Sequence, residues 1–473
     1  MKNKYKKLIG ILVLAIIVVF AMVACDGNGD DNGDDNGYDN GEEVDYDNGD
    51  DNGDEDVDDN GDEDVDDDGD EDGDVDGGAD VAEITAWAWD PLFNVAALEI
   101  AESVWDGDVP LNVMESSQDD IVQRLTTQLA SGVTTELPNI VLIEDYRAPG
   151  FLQSFPDMFY PIEAYINSAD FVPYKNEATS LDGTQFGLPF DTGATGLYVR
   201  VDYLEEAGFS VEDVTNVDWD ELIDIALDVY AETGRHFITV DPNDTGLMRV
   251  MLQTAGVWFT EDDGVTPFIA DNEYIATLFT VLERIIDEGL SIPVTDWAEF
   301  LAGFNNGDVW AVPTGNWITP SVMAAEDQEG LWAVVPIPSL PGHATSVNAS
   351  NLGGSSWYVL DIDGREQAAA FLADTFGSNV DFYQTLLTDV GAMGTFIPAF
   401  DGEAYQTEVE FFNGQRIFYD VGNWATEIPL VNFGLHTYAI GDLLAAALQD
   451  YLGGEDLESV LEAAQAQAES QLN

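Results

Sequence analysis

Residues 84–89 read ITAWAW, 95–105 VAALEIAESVW, 111–114 LNVM, 118–131 QDDIVQRLTTQLAS and 139–143 NIVLI. Alternation and β-propensity make Ile84–Trp89 a strand. Ala97, Leu98, Ala101, Val104 and Trp105 fall on one face of a helix, and Leu111–Met114 is a short strand. Ile121, Leu125 and Leu129 recur four apart, which predicts a second helix over 118–131. Apart from Asn139, residues 139–143 are an unbroken apolar run, as in a strand buried on both faces. Strand, helix, strand, helix, strand predicts an α/β fold with a parallel sheet and right-handed crossovers. Ligands then sit beyond the carboxyl ends of the strands. The residues there are Trp89 and Asp90, then Glu144, Asp145 and Tyr146.

The same logic extends to the C-terminus. Asp218 caps a helix over 219–232, with Glu221 in capping-box position. Leu278, Leu282, Ile285 and Ile286 place a helix over 273–288. Strand-like runs follow at Val309–Val312, Trp332–Val335 and Trp357–Leu360. Two helices, about 438–451 and 455–471, close the chain on either side of Gly453-Gly454.

The N-terminus is of a different kind. Lys2, Lys4, Lys6 and Lys7 precede a stretch, 8–24, that is apolar apart from Gly10, and Cys25 follows Met22, Val23 and Ala24. This is an export signal. Ala24-Cys25 resembles a bacterial lipobox, with Met22 where Leu is usual, so Cys25 is expected to be diacylated. The chain is then tethered to the outer face of the cytoplasmic membrane; each buried methylene of the lipid contributes roughly 0.8 kcal/mol.

Of the 473 residues, 93 are Asp or Glu and 13 are Lys or Arg, a formal charge of −80. Residues 26–80 alone hold 29 acids and no base. This Asp-Gly-Asn tract buries too little to offset backbone entropy, so 26–81 is expected to be a disordered linker. The 55 residues of 26–80 span roughly 40 Å as a flexible coil. Asp64, Asp66, Asp68 and Gly69 fit an EF-hand loop, but Val75 stands where the bidentate Glu belongs. The body retains 64 acids against nine bases, and Lys175 is its one lysine. That balance excludes nucleic-acid binding through a basic face. It also suggests adaptation to high salt, where self-repulsion is screened.

A single Cys excludes disulfide scaffolds and multi-Cys metal sites. His236, His343 and His436 are far apart, and there is no nucleophile elbow or P-loop. No metal or cofactor is expected. Among catalytic schemes, only a carboxylate pair, as in glycoside hydrolysis, is open to this composition.

Four segments place aromatics beside small or carboxylate residues: Trp89-Asp90, LPFDTG at 188–193, TGNW at 314–317 and GGSSW at 353–357. Indoles stack on the apolar faces of pyranoses, while carboxylates and amides bond their hydroxyls. QLASG at 128–132 followed by PNIV, Asp182-Gly183 followed by GLPFD at 187–191, LYV and YLEEAG at 197–208, VDWDEL at 217–222, GNW at 315–317 and LGG…W at 352–357 occur in an order that resembles the extracellular solute-binding proteins of ABC importers. This is the family that includes maltose-binding protein. Asn139, Thr184 and Val199-Arg200 depart from its usual residues.

The resemblance implies a two-lobed periplasmic-binding-protein-like fold, each lobe a mainly parallel sheet flanked by helices, with a hinge crossed more than once. Lobe one is expected over 82–191 and 352–398, lobe two over 195–350 and 400–473. It implies a monomer that captures a neutral sugar or oligosaccharide between the lobes and hands it to permease subunits, and that is not an enzyme. Trp317 and Trp357 are expected to stack on the ligand, and Asp90, Asp145 and Asp191 to accept its hydroxyls. Glu144, Trp89, Ser355 and Trp424 stand behind them. Trp87, Trp310 and Trp332 are expected in the core. The alternatives are a lipid-anchored glycosidase and a binder of a cationic solute such as a polyamine, since carboxylates and Trp also cage amines.

Overall fold

The computed structural model describes residues 79–472. Cys25 and the tract up to residue 78 lie outside the described residues. The last three residues of the expected linker are docked on the body. The Ala79 amide donates to Asp363 Oδ1 at 3.1 Å, and the Val81 amide to Gln367 Oε1 at 2.7 Å.

Strand β1 (Ile84–Ala88), helix α1 (Asn94–Val104), β2 (Leu111–Glu115), α2 (Gln118–Ser131) and β3 (Ile140–Glu144) follow the predicted order. β1 pairs parallel with both β2 and β3. The Ser117 hydroxyl caps α2 by accepting from the Asp120 amide, and Gly132 ends it at φ 68°. Ile121, Leu125 and Leu129 are buried as their spacing requires. On α1, Ala97, Leu98 and Ala101 are buried but Val104 is exposed.

Next come α3 (Pro173–Ala178), β4 (Gly187–Pro189), β5 (Thr195–Arg200) and α4 (Trp219–Thr233). α4 carries the expected Asp218–Glu221 capping box. β6 (Ile238–Val240), α5 (Gly246–Thr254), α6 (Glu273–Asp287), β7 (Ser291–Pro293), α7 (Trp297–Asn305), β8 (Ala311–Gly315) and β9 (Trp332–Pro336) complete the second half. β10 (Ser355–Val359) returns to the first. Toward the C-terminus lie α8 (Ile417–Ala425), α9 (Thr437–Leu452) and α10 (Leu457–Leu472).

The first sheet has the order β2-β1-β3-β10-β4. β10 runs antiparallel to both of its neighbours, so the sheet is parallel only in its first three strands. The cause is topological. β3 and β4 end at the edge where the chain leaves for the other lobe. β10 begins at that edge on the way back and has to run the opposite way; Ser355 accordingly lies opposite Glu144. In the second lobe β8 and β9 flank β5 antiparallel. β6 and β7 pair parallel and join β8 through the parallel bridge of His236 with Val309.

Two of the crossing segments lie side by side. Ala194 bridges Asn351, the Leu352 amide donates to the Gly193 carbonyl, and the Thr195 amide donates to the Ser350 carbonyl, both at 2.9 Å. Trp87, Trp310 and Trp332 are buried in the core. Burying side chains of this size contributes about 1.5–3 kcal/mol each, as an upper bound. Residues 400–428, expected wholly in the second lobe, are divided. Tyr405, Val421, Ala425 and Ile428 pack with the first sheet, whereas Phe411, Phe412 and Ile417 pack with Tyr198 and Trp332 of the second.

Candidate functional site

The strand ends of the second lobe and the crossing segments enclose a cavity of about 470 Å³. From the first lobe and the crossing come Glu144, Tyr146, Leu352 and Gly353. From the second come Asp241 and Asp244 after β6, Arg249 of α5, Asp296, Trp297 and Phe300 around the start of α7, and Thr314 and Trp317 at the end of β8. This is where ligand sites lie in open α/β sheets, beyond the strands' carboxyl ends.

One wall is aromatic. The Trp297 ring lies 5.9 Å from that of Trp317, and 5.2 Å from Phe300 in a stacked arrangement. Trp317 is 40% exposed and Trp297 36%, so both indoles present a face to solvent. Trp317 is held by its Nε1–H, which donates to the Leu352 carbonyl at 2.9 Å. That posture requires Gly315, since a Cβ there would lie 2.2 Å from Trp317 Nε1 and 3.0 Å from the same carbonyl. Its neighbour Trp297 is placed by Asp296, which caps α7 by accepting from the Glu299 amide at 2.8 Å.

The polar groups are anchored but not exhausted. Asp241 Oδ1 accepts from the Asn243 amide and side chain, and Asp244 Oδ1 accepts from the Gly246 amide. Asp296 also uses only Oδ1. The Oδ2 atoms of all three accept no hydrogen bond among the described residues. Glu144 receives the Tyr438 hydroxyl at 2.6 Å on both of its oxygens and ion-pairs with Arg147 at 3.3 Å. Burial, and then the negative charge of Glu144, holds the Tyr438 hydroxyl far above its usual pKa, so it stays a donor. Tyr146 is buried, stacks on Trp258 at 5.7 Å, and packs in the second lobe's core. The loop after β3 therefore plugs one lobe into the other.

Of the expected ligand residues, Trp317 and Glu144 line this cavity. Trp357 does not, which corrects the expectation. Its indole is fully buried in the first lobe, with ring centroids 5.4 Å from Phe190 and 5.6 Å from Phe376. It lies two residues into β10, past the glycines, where its face of the sheet is covered.

Asp145, Asp191 and Ser355 are also corrected, because they bond to one another's surroundings rather than to the cavity. Asp145 Oδ2 pairs with Lys175 Nζ at 2.6 Å, both side chains being wholly buried. The Ser356 hydroxyl donates to Asp145 Oδ1 at 2.9 Å, and Lys175 also donates to the Ser355 carbonyl at 2.8 Å. Asp191 Oδ1 accepts from both the amide and the hydroxyl of Ser355, at 2.6 and 2.7 Å. This network welds β3, α3, β4 and β10 together at the crossing. Gly354 completes it at φ 95°, where a Cβ would come within 2.8 Å of Asp145 Oδ2. Burial raises the Asp145 pKa to about 6 against the opposing pull of Lys175, and burial raises Asp191 likewise.

Asp90 is exposed and serves a turn, accepting from the Leu92 amide at 2.8 Å. Half-buried Trp89 packs between two clusters of the first lobe, and Trp424 packs against clusters of both lobes. None of these three lines the cavity. The sequence reading passed over Trp297, Phe300, Arg249, Asp241, Asp244 and Asp296. The signal was available: Asp241 and Asp296-Trp297 follow strands as Trp89-Asp90 does, but those strands are three residues long. Among the described residues no cluster of His, Cys, Asp and Glu could hold a metal ion.

Two α/β lobes, side-by-side crossings and a cavity at the strand ends define a binding protein of the two-lobed periplasmic type. The sugar-binding protein MalE of Xanthomonas citri has the same fold, with a TM-score of 0.70 at 16% identity over 82% of this chain and 97% of that one. The bacterial extracellular solute-binding protein family matches residues 102–413, and the chain belongs to that family. A lactose-binding protein of Rhizobium radiobacter is 39% identical over 398 residues, 83% of this chain and 94% of the relative. An arabinooligosaccharide-binding protein of Halalkalibacterium halodurans is 23% identical over 369 residues, 74% of this chain and 79% of the relative.

Proposed function

We propose that the chain captures a neutral di- or oligosaccharide in this cavity for an ABC importer, with lactose or a related galactoside as the first candidate. The observation that carries the reading is the exposed Trp297–Trp317 wall beside the three aspartates with free Oδ2 atoms. A pyranose uses both, stacking its C–H face and donating its hydroxyls. The 39% identical lactose-binding relative supports the choice of sugar. Buried Arg249, which lines the same cavity, counts against a cationic solute. The protein works as a monomer, anchored by acylated Cys25 at the outer face of the membrane, and closure of the lobes presents the loaded form to the permease.

Titration of the secreted chain with lactose, galactobiose, arabinooligosaccharides and maltose, read by calorimetry and Trp fluorescence, tests this. Saturable binding of at least one saccharide is expected; silence toward all of them would refute the reading. Trp317→Ala should weaken the best ligand about 10- to 100-fold, or roughly 1.4–2.7 kcal/mol, with little change in thermal stability.

The acidic body is part of the same proposal. Self-repulsion among 64 acids and nine bases is screened to about 10 Å at 0.1 M salt and about 3 Å at 1 M. The melting temperature is expected to be higher at about 1 M salt than at about 0.1 M; equal values would remove the case for adaptation to a saline medium.

A further inference from the structure

Arg249 is set apart from the other buried or half-buried bases of the body, which have carboxylate partners or lie outside the cavity. It projects from α5 in the cavity wall and is only 9% exposed. Its guanidinium carbon lies 5.0 Å from the centre of the Tyr146 ring and 5.4 Å from that of Tyr438. No carboxylate pairs with it, and its Nε–H meets no acceptor among the described residues. Arg147, by contrast, pairs with Glu144, and Arg200 with Asp202. In a body with 64 acids, a buried guanidinium without a carboxylate is an anomaly. An unmet buried donor is expensive, so such groups usually have a partner. The two tyrosine rings account for the flat faces of the guanidinium but not for its in-plane N–H groups, which need an oxygen acceptor in their own plane.

The cavity is where a ligand oxygen can reach the terminal N–H groups of the guanidinium, since Arg249 lines it. Glu144, which accepts the Tyr438 hydroxyl and also lines the cavity, offers the complementary function, since a carboxylate can only accept. Acceptor and donor therefore both line the cavity and both contact Tyr438 behind it. A sugar edge bearing a hydroxyl beside another oxygen meets both: the hydroxyl donates to Glu144, and its neighbour accepts from Arg249.

We infer that Arg249 is the specificity-determining residue of the cavity, donating in plane to a hydroxyl or ring oxygen of the bound saccharide. This deepens the sugar-binding reading and rests on it. The rejection of analogues lacking that oxygen follows, because they leave a buried charged donor unpaired. A neutral sugar fits better than an acidic one, since Glu144, Asp241, Asp244 and Asp296 outnumber the one guanidinium.

The test compares Arg249→Met, Arg249→Lys and the unaltered chain, titrated with the best saccharide of the panel and with its monodeoxy analogues. The unaltered chain should lose at least about 100-fold in affinity for one analogue. Arg249→Met should bind the parent sugar about 100-fold more weakly and no longer distinguish that analogue from it. Arg249→Lys should recover part of both. A methionine variant that keeps the parent affinity and the discrimination would overturn the role of Arg249 while leaving sugar binding intact. An equal loss for the parent and every analogue, with a lowered melting temperature in both variants, would assign Arg249 to structure and overturn the inference too. Binding of no saccharide by the unaltered chain would overturn both readings.

Discussion

Lys175→Met is expected to destabilise the body by about 3–5 kcal/mol, the usual consequence of removing one member of a buried ion pair. The side chains of Lys175 and Asp145 are both fully buried at 2.6 Å. Removing the cation leaves a fully buried carboxylate with only the Ser356 hydroxyl as a side-chain donor among the described residues. Loss of the Lys175–Ser355 bond frees the return strand at the crossing as well.

The defect should depend on pH, and its sign is fixed. Burial raises the folded pKa of Asp145 to about 6 even with Lys175 present, against an ordinary value of 3.8. The folded state thus favours the protonated acid. Its contribution is full below about pH 4 and is lost as pH rises through about 6. Without Lys175 the folded pKa moves higher still. The variant should therefore be most impaired at about pH 8 and recover toward the parent as the medium falls below about pH 6. Urea titrations of both proteins across that range measure it. A defect independent of pH would show that the pair is not what holds this junction.

Trp357→Ala is the second change with a large expected effect, about 3–5 kcal/mol. The indole fills the space between Phe190 and Phe376 in β10, so its removal opens a cavity that a buried sheet cannot collapse. Trp357→Phe should recover most of the loss. Saccharide affinity measured well below the melting temperature should be nearly unchanged in Trp357→Phe, in contrast to Trp317→Ala. If Trp357→Phe weakened binding as much as Trp317→Ala does, its assignment to the core would be wrong.

The contrast between the two tryptophans shows how far sequence carries. Both follow glycines, and composition cannot separate them. What separates them is parity and register. Trp317 follows Gly315 just past the end of β8, where the chain leaves the sheet. Trp357 comes after β10 has already begun at Ser355, on a face shared with Val359. A strand start can be placed only within a few residues from sequence, and a shift of two decides between cleft and core.

The first lobe was legible because β1, β2 and β3 are five residues each and alternate with clear amphipathic helices. In the second lobe β6 and β7 are three residues each, too short for a period to show. The ends of those strands carry Asp241, Asp296 and Trp297, so half of the cavity went unread. Asp145 and Asp191 were rightly placed near strand ends, yet a lysine distant in sequence claimed one of them. That Lys175 is the one lysine among 64 acids was visible from the start. That it would be buried was not, because burial of a charge depends on a partner supplied by the fold.

The burial of Lys175 also determines how the protein meets reagents. Residues 78–473 contain no other primary amine on a side chain, and this one has no exposed surface. The folded body gives acylating reagents and lysine-directed proteases nothing to attack. Modification at position 175 would instead report how often the packing of β3, α3, β4 and β10 at the crossing comes apart, making one amine a built-in clock for that opening.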